Sequence, residues 1–196
     1  AKYLLEIKPD INISYMEEYS FGLACENGHL DTAKWLLEIK PAINMSADDE
    51  YALKSICENG HLHILQWFFE VNPNCDIFID DNYSLCEACG NGHLELCKYV
   101  INKFPSMNLF IESSKIFRYA VENNQFEIIK WLFEIVSEKN KIKYCIYPLV
   151  LHLALRNGYS DIFMHVLSLN ADLLEIIKEQ LVIKISKENN SDEDNS

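Results

Sequence analysis

The tetrapeptide Asn-Gly-His-Leu occurs three times, at Asn27-Gly28-His29-Leu30, Asn59-Gly60-His61-Leu62 and Asn91-Gly92-His93-Leu94, each copy 32 residues after the last. A fixed period of that length confines the chain to repeat architectures, in which one unit cannot bury its apolar face alone. The register continues through Asn123-Asn124-Gln125-Phe126 after another 32 residues and Asn157-Gly158-Tyr159-Ser160 after 34, which places a two-residue insertion within residues 137–147. Pro9, Pro41, Pro73 and Pro105 keep the same period, as do the aromatics Tyr3, Trp35, Trp67, Tyr99 and Trp131.

Within one unit, residues 50–58 carry apolar side chains at helical spacing, and a second amphipathic stretch over 62–70 stops before Pro73. Each unit thus reads as helix, turn, helix and short extended link. Gly supplies the left-handed turn after the first helix. Pro forbids continuation of the second, because it lacks an amide donor and clashes with the preceding turn. Leu4-Leu5, Leu36-Leu37, Phe68-Phe69, Val100-Ile101 and Leu132-Phe133 repeat an apolar pair that only stacked neighbours can bury. The expected fold is an all-α helical-repeat solenoid with short loops or hairpins between repeats and little or no sheet. Its expected divisions are the second half of a truncated repeat at 1–14, repeats at 15–46, 47–78 and 79–110, a repeat with the insertion at 111–144, a last repeat plus capping helix at 145–185, and an acidic disordered tail at 186–196. The capping helix is read from the amphipathic stretch 172–185. Ala1-Lys2-Tyr3-Leu4-Leu5-Glu6 aligns with Ala33-Lys34-Trp35-Leu36-Leu37-Glu38, so the sequence opens inside a second helix, and the parent polypeptide is expected to continue upstream.

The run Leu23-Ala24-Cys25-Glu26-Asn27-Gly28-His29-Leu30-Asp31-Thr32-Ala33-Lys34-Trp35-Leu36-Leu37-Glu38 resembles the helix-turn-helix part of the ankyrin repeat, and the resemblance covers nearly the whole chain. It implies a stacked solenoid that binds proteins, with a structural hydrogen bond from the turn histidine. The family's Thr-Pro-Leu-His opening appears here as Tyr19-Ser20-Phe21-Gly22, Tyr51-Ala52-Leu53-Lys54 and Tyr83-Ser84-Leu85-Cys86, and only Leu151-His152 keeps its second half. Glu17, Asp49, Asp81 and Ser113 replace the Gly usual at the hairpin tip, which points to looser loops. This style, with Leu-Leu-Glu-Ile-Lys-Pro after the second helix, is similar to the expanded ankyrin-like families of giant DNA viruses.

Seventeen Lys and Arg against thirty Asp and Glu give a net charge of -13, which disfavours nucleic acid or an anionic membrane as partner. No apolar run approaches the roughly 20 residues of a membrane span. Seven cysteines in a long chain point to reduced thiols and a cytoplasmic location, the host cytoplasm if the protein is viral. Cys86, Cys89, His93 and Cys97 have the spacing of a zinc site on one helical face. The register undoes that reading, since Cys89 repeats Cys25 and Cys57 as a small core residue and His93 is the turn histidine. His63, His152 and His165 lack a repeat-independent nucleophilic partner, and no phosphate-binding Gly loop is present. The expectation is a non-enzyme with no catalytic residue, metal or cofactor. The aromatic period is read as burial at the seam between units, not as a stacking platform.

Residues one period apart stack side by side, which gathers acids into columns: Met16, Asp48, Asp80 and Glu112; then Glu17, Asp49, Asp81 and Ser113; then Glu18, Glu50, Asn82 and Ser114; and Glu26, Glu58, Gly90 and Glu122. In ankyrin proteins the loop tips and the exposed end of the first helix face the groove that grips partners, so the resemblance makes Glu17, Glu18, Glu26, Asp48, Asp49, Glu50, Glu58, Asp80, Asp81, Glu112 and Glu122 a protein-binding face. Its partner would be a protein with a basic or neutral contact segment. Lys115, Arg118 and Arg156 dilute the acidity toward the C-terminal end. Alternative readings are the substrate-receptor part of a ubiquitin-ligase adaptor, for which 172–185 is too short to supply an F-box-like segment, or a structural or assembly component of a virus particle.

Overall fold

A computed structural model describes residues 17–75, 77, 79–104, 109–137 and 143–169. These form α1 (Glu17–Glu26), α2 (Leu30–Ile39), α3 (Ala47–Glu58), α4 (Leu62–Val71), α5 (Ile79–Gly90), α6 (Leu94–Lys103), α7 (Leu109–Glu122), α8 (Phe126–Ser137), α9 (Lys143–Asn157) and α10 (Ser160–Leu169), with no strand among the described residues. The first helices α1, α3, α5, α7 and α9 stack in that order, and each also packs on its own second helix. The described residues therefore form a row of five helical hairpins, as the period requires. The expected elements at 1–14, 172–185 and 186–196 lie outside the described residues.

One turn geometry recurs five times. The amide N–H groups of His29, His61, His93, Gln125 and Tyr159 reach back to the carbonyls of Ala24, Ile56, Ala88, Ala120 and Ala154 at 2.8–3.0 Å, closing each first helix. The residue just before each of these amides, Gly28, Gly60, Gly92, Asn124 or Gly158, has φ between +56° and +83°. Glycine adopts that conformation without steric penalty, and asparagine is the side chain that best tolerates it. Asn124 thus replaces glycine without breaking the turn.

Stacking buries the columns that the register defines. Cys25, Cys57, Cys89 and Val121 form one fully buried column, and Leu36, Phe68, Val100, Leu132 and Val166 form another in the second helices. The aromatics one residue before this second column, Trp35, Trp67, Tyr99 and Trp131, pack against the core but are only half-buried. Trp67 lies over the seam between units, its ring 6.3 Å from that of Phe21.

The starts of the first helices differ from the sequence expectation. The second unit's first helix begins at Ala47 and not at residue 50, and Glu50 within it has φ +61°, as Asn82 in α5 has φ +63°. A left-handed residue therefore separates the first helical turn from the rest. Pro148, which allows no amide hydrogen bond, falls on the same slot inside α9 once the insertion is counted. Lys143, within the 137–147 span that carries the insertion, opens α9.

Candidate functional site

The groups with the most chemical potential are spent on packing. Cys89 and Cys97 face each other across the α5–α6 turn with their Sγ atoms 3.2 Å apart, a thiol–thiol contact and not a disulfide. Burial pushes the Cys25 thiol up to about 12 and raises Cys57 as well, and the hydrogen bond to Cys97, with burial second, holds Cys89 well above its usual range. These thiols stay protonated at neutral pH and so lack the thiolate that a nucleophile requires. Among the described residues no three His, Cys, Asp or Glu side chains are placed to hold a metal ion. His63 and His152 are exposed, whereas His165 packs edge-on to Phe126 and titrates below its ordinary range, chiefly through burial.

Alkaline stability follows from the thiols. Between the ordinary thiol value of 9.0 and about 12, the unfolded chain loses protons that folded Cys25 retains, so stability should be level below 9 and fall as pH climbs through that window. Tyr83, raised from 10.0 to about 12, adds to the same trend. Urea midpoints measured from pH 7 to 11 check this; a midpoint that stays constant or rises above pH 9 contradicts it.

The turn histidines are inter-unit staples. His61 Nε2 donates to the carbonyl of Glu26 at 2.9 Å and His93 Nε2 to that of Glu58 at 2.8 Å. A carbonyl can only accept, so Nε2 carries the proton in both. Tyr159 continues the series by donating from its hydroxyl to the carbonyl of Glu122 at 3.3 Å. The chain folds this way because the first helix ends on carbonyls with no intrahelical partner, and the next unit's slot residue supplies one.

The acidic columns divide in two. Asp48, Asp49, Asp80 and Asp81 lie in the first turns of α3 and α5, Glu17 opens α1, and Glu112 lies early in α7. The expectation that Glu17, Asp49 and Asp81 sit on loop tips gives way to helix N-termini, where acids complement the positive end of the helix dipole. Their side chains, and that of Glu112, are outside the described set. Glu18 is half-buried. Glu50 is a correction to the exposed column: it is only 7% exposed, and its Oε2 has no hydrogen-bond partner among the described residues. Asn82, one period on and also left-handed, is buried as well, at 6% exposed. At the far end of the first helices, Glu58 and Glu122 are exposed and Glu26 is half-buried.

Sequence reasoning noted the tyrosines only as departures from a motif, and the structure gives them a face. Tyr19 and Tyr83 are 49% and 39% exposed. Tyr19 stacks on Tyr51 with ring centroids 6.5 Å apart. The Tyr51 hydroxyl donates to the Glu26 carboxylate, and Tyr83 is hydrogen-bonded to Glu87; both bonds are the leading reason these phenols titrate high. Glu58 adds electrostatically to the rise at Tyr83, and Tyr119 is raised first by burial, with Glu87 and Glu122 adding to it. Lys54 places its ammonium 5.9 Å from the centre of the Tyr83 ring. Rings and carboxylates therefore alternate along the first-helix face from α1 to α7. The signal that could have found this face was the recurrence of Tyr at 19, 51 and 83 on an otherwise polar stretch.

The family model for ankyrin repeats (3 copies) matches residues 21–111 and again residues 53–143, two placements offset by one 32-residue unit that together span more than half the chain. The chain belongs to the ankyrin-repeat family. No individually curated protein matches it. As an ankyrin-repeat protein it keeps the turn and its histidine staple, and departs from the family at the opening of the first helix. Gly22 accommodates the departure, because a Cβ there would stand 2.5 Å from Cδ1 of the Tyr51 ring that lies over it. Among the described residues no helix is long and apolar enough to cross a membrane. Ankyrin repeats are protein-interaction modules.

Proposed function

We propose that this ankyrin-repeat protein is a non-catalytic module that captures a protein segment bearing Lys or Arg on its first-helix face. The observation carrying this reading is the alternation of the register-matched Tyr19, Tyr51 and Tyr83 with Glu26 and Glu58 of one column and, one turn away from it, Glu87. A tyrosine ring attracts a cation through its negative face, and a hydroxyl that donates to a carboxylate adds electron density to that ring. Lys54 over Tyr83 shows the chemistry within the chain itself. Asp48, Asp49, Asp80 and Asp81, with Glu17, Glu18, Glu112 and Glu122, extend the negative potential that steers such a partner inward. Glu50 contributes charge from beneath the surface and no contact of its own.

Selection of binders from a displayed library of random peptides tests the proposal. Recovered sequences should be enriched in Lys and Arg, and Tyr19→Leu with Tyr83→Leu should weaken them about tenfold, the size of two cation–π contacts near a protein surface. Enrichment of acidic or neutral sequences, or binding indifferent to both tyrosines, contradicts it.

A further inference from the structure

The fifth hairpin exposes what the other four bury. Leu155 stands in the column of Cys25, Cys57, Cys89 and Val121, all fully buried, yet it is 69% exposed. Phe163 stands in the column of Ala33, Leu65, Cys97 and Ile129, all fully buried, yet it is half-buried. Met164, 63% exposed, occupies the slot of Lys34, Gln66, Lys98 and Lys130, so an apolar side chain replaces polar ones on this unit alone. The turn tells the same story. A Cβ on Gly28, Gly60 or Gly92 would come within 2.9, 2.3 or 2.5 Å of the next unit's His61, His93 or Gln125, whereas one on Gly158 would meet nothing within 4 Å among the described residues. Leu155, Gly158, Tyr159, Phe163 and Met164 surround a shallow depression of about 190 Å³.

We infer that residues 172–185 of the same chain cover this face. Twenty-seven residues follow Leu169, and within them Leu174, Ile177, Leu181 and Ile185 recur at spacings of 3, 4 and 4, one apolar stripe of a helix. Asp172, Glu175 and Glu179 fall off that stripe, and Lys178 flanks its edge. Only Asn170 and Ala171 separate this segment from α10, and so short a link makes it antiparallel to α10 and parallel to α9. Fourteen helical residues extend about 21 Å, close to the length of the 15-residue α9, which brings the far end of the stripe beside Leu155. The tail beyond, 187–196, contains no apolar residue to compete for the site. The consequence is that the stack is closed by its own continuation at this face, and a partner must bind elsewhere. This inference does not depend on the reading of the tyrosine face.

Hydrogen exchange on the full chain, with light scattering to fix its mass, tests it. Amides of 174–185 should exchange at least about tenfold more slowly than those of 187–196 in a monomer, independently of protein concentration. Ile177→Asp with Leu181→Asp should abolish that protection, and Leu155→Asp with Met164→Asp, made in the docking face, should abolish it equally. Three results overturn the inference: 174–185 exchanging as fast as the tail, protection that survives substitution of Leu155 and Met164, or protection that rises with concentration alongside a dimer, which would make a second copy the cover.

Discussion

Phe68→Ala should destabilise the protein by about 3–5 kcal/mol, the range for deleting a large aromatic from a packed interior. Phe68 is fully buried in α4, with its ring 6.5 Å from that of Phe21 in the preceding unit. Its removal opens a cavity at the junction of two hairpins, where neither can collapse without disturbing its own turn. The neighbouring Trp67→Ala removes a larger ring but one that is only half-buried, so its loss should be smaller. Urea unfolding of the two variants distinguishes them. A Trp67→Ala loss equal to or above that of Phe68→Ala would mean that the seam, not the interior column, holds the units together.

Gly60→Ala should destabilise by about 2–3 kcal/mol, more than an exposed turn substitution ordinarily does. Roughly 1–2 kcal/mol of that is the left-handed backbone, since Gly60 has φ +72°. The remainder, about 1 kcal/mol, comes from the new Cβ, which would stand 2.3 Å from Nδ1 of the His93 ring and displace it from the Glu58 carbonyl. Gly158 provides the control, having φ +75° and, among the described residues, no staple side chain over it. Gly158→Ala should show the backbone penalty with no staple to displace, so the difference between the two melts reports on the staple. Equal losses would remove the staple from the account.

The fold was legible because it is periodic. Gly28, Gly60 and Gly92 fixed the turns, Pro41 and Pro73 the ends of the second helices, and the Cys25–Cys57–Cys89 column the core, each by repetition of one residue type at one spacing. What stayed hidden lies where the period carries no information about direction. Glu50 shares a column with Glu18, but nothing in the register announces its left-handed φ or its buried carboxylate. The Cys89–Cys97 contact crosses a turn between columns, so comparing units cannot find it. Trp67 covers the seam as its place before the apolar pair implies, but the period does not say that the ring stays only half-buried there. The tyrosines were visible as letters, but their joint face with Glu26 and Glu87 required the stacking of α1 on α3 and α3 on α5.

Association kinetics with a cationic peptide, compared at 0.1 M and 1 M salt for the wild type and for a variant carrying Asp49→Lys, Glu58→Lys and Asp81→Lys, test the binding face most directly. Screening shortens the reach of charge from about 10 Å to about 3 Å over that range, so the wild-type on-rate should fall at least about tenfold. The variant should associate slowly at both salt concentrations while remaining folded, with a slightly lower melt because Asp49 and Asp81 sit at helix N-termini. An on-rate insensitive to both salt and charge reversal would contradict the account and make the acidic columns a solvated surface only.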